Sequence, residues 1–166
     1  VDPCVFNRMS SSGKQLTLAI HVDDGLATCV DEDELVKLDQ QIRKEFNNEI
    51  ESEVDCTKFD YLGVNIDVSS GVEAELTMEQ YIKDVCVEHG VYCDAPTSAK
   101  LNLFDADEDD EALPSKEKDK FHRAVAQLLY LATRVRPDVL LPITFLCSRV
   151  SEPTINDQEK LHRVLK

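Results

Sequence analysis

The chain has 166 residues, 42% of them hydrophobic and 31% charged, and a formal net charge of −15 from 33 acidic against 18 basic residues. That length suits one domain, or one domain with a small appendage, burying roughly two-thirds of its unfolded surface, and the composition is globular rather than disordered. With no uninterrupted apolar span of ~18 residues and no secretory signal, neither a membrane crossing nor export is expected, and the acidic balance argues against this segment alone gripping a phosphate backbone.

The sequence enters strand-like residues at once, without an initiator methionine, as expected of an excised segment. Residues 4–9 and 15–21 flank the polar turn SSSGK and predict an antiparallel hairpin. The run LTLAIHVDDGLATCV at 16–30 then sets Asp23 and Asp24 between two stretches of strand character, followed by Gly25. Asp-Gly is a strong hairpin signal, so the carboxylates are expected on a tight turn. Two adjacent carboxylates repel each other, and a divalent cation with oxygen ligands would relieve that repulsion. On these residues alone a solvated acidic turn is the favoured reading, since two carboxylates make an incomplete metal shell.

Residues 31–46 switch to helical period, with Leu35, Leu38, Ile42 and Phe46 on one stripe and Asp31 with Glu34 set as a capping box. Asn47-Asn48 ends this helix. FDYLGVNIDV at 59–68 reads as a strand interrupted at Leu62-Gly63, turned back by Ser69-Ser70-Gly71 into 72–76. Thr77 with Gln80 forms a second capping-box pattern before a helix that ends near Gly90. Cys86, His89 and Cys93 lack a fourth partner at zinc spacing and read as buried thiols beside a helix-end histidine. None of the six cysteines forms a CxxC pair, so reduced, mostly buried thiols in an intracellular protein are expected.

At 105–120 the composition changes abruptly. Asp105, Asp107, Glu108, Asp109, Asp110 and Glu111 precede Pro114 and SKEKDK, a solvated acidic linker without the Gly and spacing of a calcium loop. The expected organisation is thus a first part at 1–104, this linker, and a helical part at 121–166. Within the last part, 121–135 is predicted helical with Phe121, Val125, Leu128, Leu129 and Ala132 inward. Pro137 opens a second helix that Pro142 is expected to kink, and 155–166 forms a third.

Five motifs in order, DPCVF at 2–6, HVDD at 21–24, YLGVNID at 61–67, LTMEQYI at 76–82 and FHRAVAQLLYLATRVRPDV at 121–139, resemble the copia-type retrotransposon reverse transcriptases, nearly end to end. The resemblance implies an α+β fold: a partial polymerase palm of antiparallel hairpins and packed helices, then a helical thumb or connection region leading toward an RNase H domain. It implies that Asp23 is the main metal ligand with Asp24 supporting it, and that Tyr61, Leu62 and Gly63 fall in the primer-grip region. The implied cofactor is magnesium in a two-metal site, where one ion activates the primer hydroxyl and the other neutralises the triphosphate. The implied partners are an RNA or DNA template with primer and nucleoside triphosphate, and the integrase and RNase H parts of a polyprotein, in cytoplasmic virus-like particles or the nucleus. The sequence departs from the family at His21, where a Tyr is usual, and at Gly25, where a large apolar residue is. The fingers and the third catalytic Asp are not in this sequence, so the segment is expected to be inactive alone. A degenerate or co-opted fragment acting as a protein-interaction module is the other reading.

Overall fold

Strand-like residues near the N-terminus pair into an antiparallel sheet in the order β1-β2-β3, made of β1 (Val5–Met9), β2 (Gln15–His21) and β3 (Asp24–Cys29). The structure, a computed structural model, describes residues 2–54, 56–106 and 110–166. Register pairs Arg8 with Leu16 and Leu16 with Cys29, and Asn7 with Thr17 and Thr17 with Thr28. The pleat therefore separates these two rows onto opposite faces. On the first face Leu16 is buried and Arg8 reaches Glu34 of the following helix, 3.4 Å away. The second face is polar: Thr17 Oγ1 and Gln15 Nε2 both donate to Asn7 Oδ1, at 2.7 and 2.8 Å.

Helix α1 (Glu32–Glu45) half-buries Leu35, Leu38 and Ile42 as the stripe predicts, but Phe46 at its C-cap is left exposed. The capping box does not form. Asp31 holds the N-cap backbone position, yet its carboxylate accepts from Ser12, while buried Glu34 is taken by Arg8 and Lys37. Tertiary partners outbid a local cap of about 1 kcal/mol. Asn47 and Asn48 end the helix in left-handed conformations, which Asn tolerates better than most residues. Arg43 then ties the outgoing chain down through Asp39 and the Ser52 carbonyl and hydroxyl.

The interrupted strand at 59–68 is a hairpin of two short strands, β4 (Lys58–Tyr61) and β5 (Val64–Asp67). Leu62 and Gly63 have φ of +52° and +73°, the paired left-handed residues of a type I′ turn, whose twist matches its strands. The strand β6 (Glu75–Thr77) completes a sheet in the order β4-β5-β6.

At the open end of this hairpin the Lys58 ammonium lies 2.7 Å from Asp67. That bond, with the Ser69 hydroxyl and N–H, holds the Asp67 carboxyl well below the usual carboxylate range. A depressed folded pKa adds stability that is complete above the unfolded value of about 4 and is lost as pH falls through the folded one. The melting temperature of Lys58→Gln should therefore lie below wild type at neutral pH, and the gap should narrow as acid protonates Asp67. A gap that stays constant from neutral pH to about pH 2 would refute this linkage.

The chain divides into two compact units, Val1–Leu76 and Thr77–Lys166. Among the described residues Leu16 and Val64 are the only fully buried apolar side chains of the first unit. The second unit holds the rest of the core. Its first helix, α2 (Glu79–Glu88), begins at an N-cap of Met78 with no side-chain bond, so Thr77 ends β6 instead of capping a helix. Gly90, at φ +64°, closes α2: Val91 N–H donates to the Cys86 carbonyl and Gly90 N–H to that of Val87, the Schellman pattern that favours Gly.

The long helix α3 (Ser115–Arg134) starts upstream of the expected 121 and buries Phe121, Ala124, Val125, Leu128, Leu131 and Ala132 along one side. Of the acidic stretch before it, Asp107, Glu108 and Asp109 lie outside the described residues. A 3-10 turn (Pro137–Val139) leads into α4 (Leu140–Cys147). Pro142 falls in the first turn of α4, where a missing N–H goes unnoticed, so no kink is required of it. Ile143 and Leu146 of α4 are fully enclosed, each worth about 1.5–3 kcal/mol of burial. Finally α5 (Ile155–Val164) packs on α3 and α4. The chain is thus α+β, with two antiparallel three-stranded sheets and five helices among the described residues. Cys4 and Cys93 are exposed and the other four thiols half-buried, contrary to the expectation of mostly buried thiols.

Candidate functional site

The β2–β3 hairpin carries Asp23 and Asp24, but not in the way Asp-Gly chemistry suggests. Its register pairs His21 with Asp24 and Ile20 with Gly25, so the two turn residues are Val22 and Asp23. Asp24 is the first residue of β3 and Gly25 lies within the strand. His21, Val22, Asp23 and Asp24 are all exposed, which presents both carboxylates at the hairpin apex.

Val22 sits at φ +58° and is 89% exposed. A positive φ at the first turn position alone is the type II′ pattern, where Gly is usual. For a β-branched residue this is a true outlier, costing of order 1–3 kcal/mol. Strain of this kind concentrates at functional sites. No sequence pattern marked Val22; only counting the loop between His21 and Asp24 as two residues would have found it. Val22→Gly should raise the thermal stability of the first unit, by about 1 kcal/mol once the flexibility of Gly is deducted. Thermal denaturation would check this, and a lower melting temperature would show that the turn is not strained.

Gly25 needs no special conformation. A Cβ there would meet only Leu18 Cδ1, at 4.0 Å. Its departure from the resembling family therefore does not alter the turn, which is made upstream of it.

Tyr61, Leu62 and Gly63 come together at the β4–β5 turn: Tyr61 ends β4 opposite Val64, and Leu62 with Gly63 forms the bend. Both hairpins belong to the first unit, where β3 runs near β4. The remaining quoted motifs are spent on structure. The Arg136 guanidinium grips Asp138 with two bonds of 2.9 and 2.8 Å across the 3-10 turn, raising its own pKa and lowering that of the carboxyl. Tyr130 meets Tyr81 edge-on, 5.6 Å between ring centres, with the Arg134 guanidinium over its face. His89 Nε2 donates to Gln127 Oε1 at 2.8 Å, because the Gln127 amide nitrogen is already given to Glu88.

No group of three or more His, Cys, Asp or Glu side chains that could hold a metal occurs among the described residues. Asp23 and Asp24 therefore offer two carboxylates and no third ligand from this set. No helix among the described residues is long and apolar enough to cross a membrane.

Over 161 residues, the chain is 26% identical to a Saccharomyces cerevisiae protein that bears the name of transposon Ty5-1. The alignment covers 95% of this chain and 50% of that protein, so the chain spans about half the length of the relative it matches. This similarity supports a retrotransposon-derived sequence. No protein family profile matches the chain. No solved structure matches it either.

Proposed function

We propose that this chain is part of a copia-type retrotransposon reverse transcriptase, an RNA-directed DNA polymerase, and contributes the aspartate pair of its metal site. The observation that carries the reading is the exposed hairpin apex, where Asp23 and Asp24 stand beside a strained Val22. The similarity to a transposon protein along nearly the whole chain supports it.

The donors fit magnesium. Carboxylate oxygens are its preferred protein ligands, one or two commonly suffice, and phosphates and water complete the shell. Asp23 would hold the ion, with Asp24 beside it. Bound magnesium would activate a primer hydroxyl and neutralise charge on the triphosphate and the departing pyrophosphate. The hairpin fixes Asp24 by its pairing with His21 and leaves Asp23 at the tip, open to incoming phosphates. Tyr61, Leu62 and Gly63 would face the primer strand from the second hairpin. Template, primer and nucleotide are the partners of the whole enzyme, which would carry the remaining carboxylate and the RNase H and integrase parts. Such an enzyme works in virus-like particles.

The bare pair of carboxylates also favours a second reading, a co-opted segment that binds other proteins and catalyses nothing. Manganese, a paramagnetic stand-in for magnesium, separates the two. The first reading expects saturable broadening of the amide resonances of Asp23 and Asp24, abolished in Asp23→Asn/Asp24→Asn. Broadening that is uniform over the acidic surface would remove the metal-site reading.

A further inference from the structure

We propose that the second unit binds a phosphate-type oxyanion in the cleft between the 99–103 segment and α5. Lys100, Lys160 and Arg163 line it, beside Asn102 and Asn156. In a chain of net charge −15 such a gathering of cations stands out. None of the three makes an ion pair with a carboxylate among the described residues, whereas Arg149, near the start of the same helix, is spent on Asp157.

Neutral groups hold two of these cations in place. The Arg163 guanidinium donates to the Thr97 carbonyl at 3.1 Å and to its hydroxyl at 3.0 Å. The Lys160 ammonium donates to the Asp105 carbonyl and lies 5.0 Å from the Phe145 ring centre, itself braced edge-on by Phe104. Carbonyl, hydroxyl and ring fix position without cancelling charge. Donors preorganised in this way are what a charged oxyanion recognises best.

Two local carboxylates weigh against the cleft. Glu159 lines it, and Asp110 is held at Asn156, 3.2 Å away. Three cations against Glu159 and Asp110 leave a formal charge of +1 at the cleft, which favours an anion. Complementing the negative C-terminal end of α5 accounts for Arg163 and its neighbour His162. It does not account for Lys100, which comes from a different segment. The cleft lies in the second unit, so its binding does not depend on whether Asp23 and Asp24 hold a metal.

The shared chemistry is a phosphoryl oxygen, from a free phosphate compound or from a nucleic-acid backbone. The test titrates the full chain with pyrophosphate by calorimetry and with a labelled single-stranded oligonucleotide by anisotropy. Wild type should bind at least one probe at millimolar concentration or below. Lys100→Gln/Lys160→Gln should weaken that binding about tenfold, and on the oligonucleotide should reduce the salt slope by about 0.7 per lysine removed. Glu159→Gln should tighten it. Binding of pyrophosphate alone identifies a small phosphate, and tighter oligonucleotide binding with a salt slope identifies a backbone; either supports the cleft. The proposal is overturned if neither probe binds, or if the folded double variant binds as wild type does. Should the double variant not fold, Lys100→Gln decides alone, since that ammonium has no partner among the described residues.

Discussion

Asp157→Ala is expected to destabilise the second unit by about 2–4 kcal/mol, the cost of losing a helix cap and the charge-assisted bonds that a buried carboxylate accepts. Asp157 is 1% exposed. Its Oδ2 accepts from Arg149 Nε at 3.1 Å, from the Thr154 N–H at 3.0 Å and from the Thr154 hydroxyl at 3.1 Å. Its own N–H donates back to Thr154 Oγ1, at 3.2 Å, completing a capping box at the start of α5. One carboxylate therefore caps a helix, neutralises an arginine and anchors the chain next to a strand bridge between Ala112 and Thr154. Asp157→Asn keeps the shape and part of the hydrogen bonding, so its cost should be smaller, about 1–3 kcal/mol. Each kcal/mol moves the melting temperature of a unit of this size by roughly 4–8 °C. Thermal melts followed by helical circular dichroism give the ranking wild type, Asn, Ala. If Ala melted within a degree or two of wild type, the buried carboxylate would be a spectator.

That capping box was open to reading in the sequence, as Thr154 followed three residues later by an acid, while the two that sequence pattern did favour, at Asp31 and Thr77, do not form. The difference is tertiary. Asp31 and Glu34 find Ser12, Arg8 and Lys37 brought to them by the first sheet, and Thr77 is drawn into β6. The same competition moved the hairpin turn. Asp-Gly is the stronger local signal, yet a turn at Asp24-Gly25 would shift the observed pairing by four residues and give up the pairs His21 with Asp24 and Leu16 with Cys29. The observed strand register wins over turn propensity, and the strain falls on Val22. Helical and strand periods, by contrast, survived into the structure wherever one face meets a core, as along α3. The Lys100–Lys160–Arg163 cleft could not be read at all, since its members come from segments far apart in sequence and only folding assembles them.

In a longer retroelement protein containing this segment, Asp23→Asn is expected to cut magnesium-dependent primer extension by about a thousandfold. Metal stabilisation of charge in phosphoryl transfer is worth several kcal/mol, and each 1.36 kcal/mol is a factor of about ten. On the proposed reading the loss should fall on kcat more than on KM for the primer, because the carboxylate would act on charge that develops in the transition state. Asp24 lies within β3 and is oriented by its strand pairing with His21, so Asp24→Asn should cost less than Asp23→Asn. Val22→Gly discriminates between two uses of the turn. If the strained backbone aims Asp23, relieving it should lower the extension rate while raising the melting temperature, the trade expected of strain kept for function. If the strain merely results from the strand register, stability rises and the rate stays. Unchanged extension in Asp23→Asn would remove the carboxylates from the chemistry and leave the segment as a binding module, whose activity should instead follow its exposed apolar residues Phe6, Met9 and Phe46.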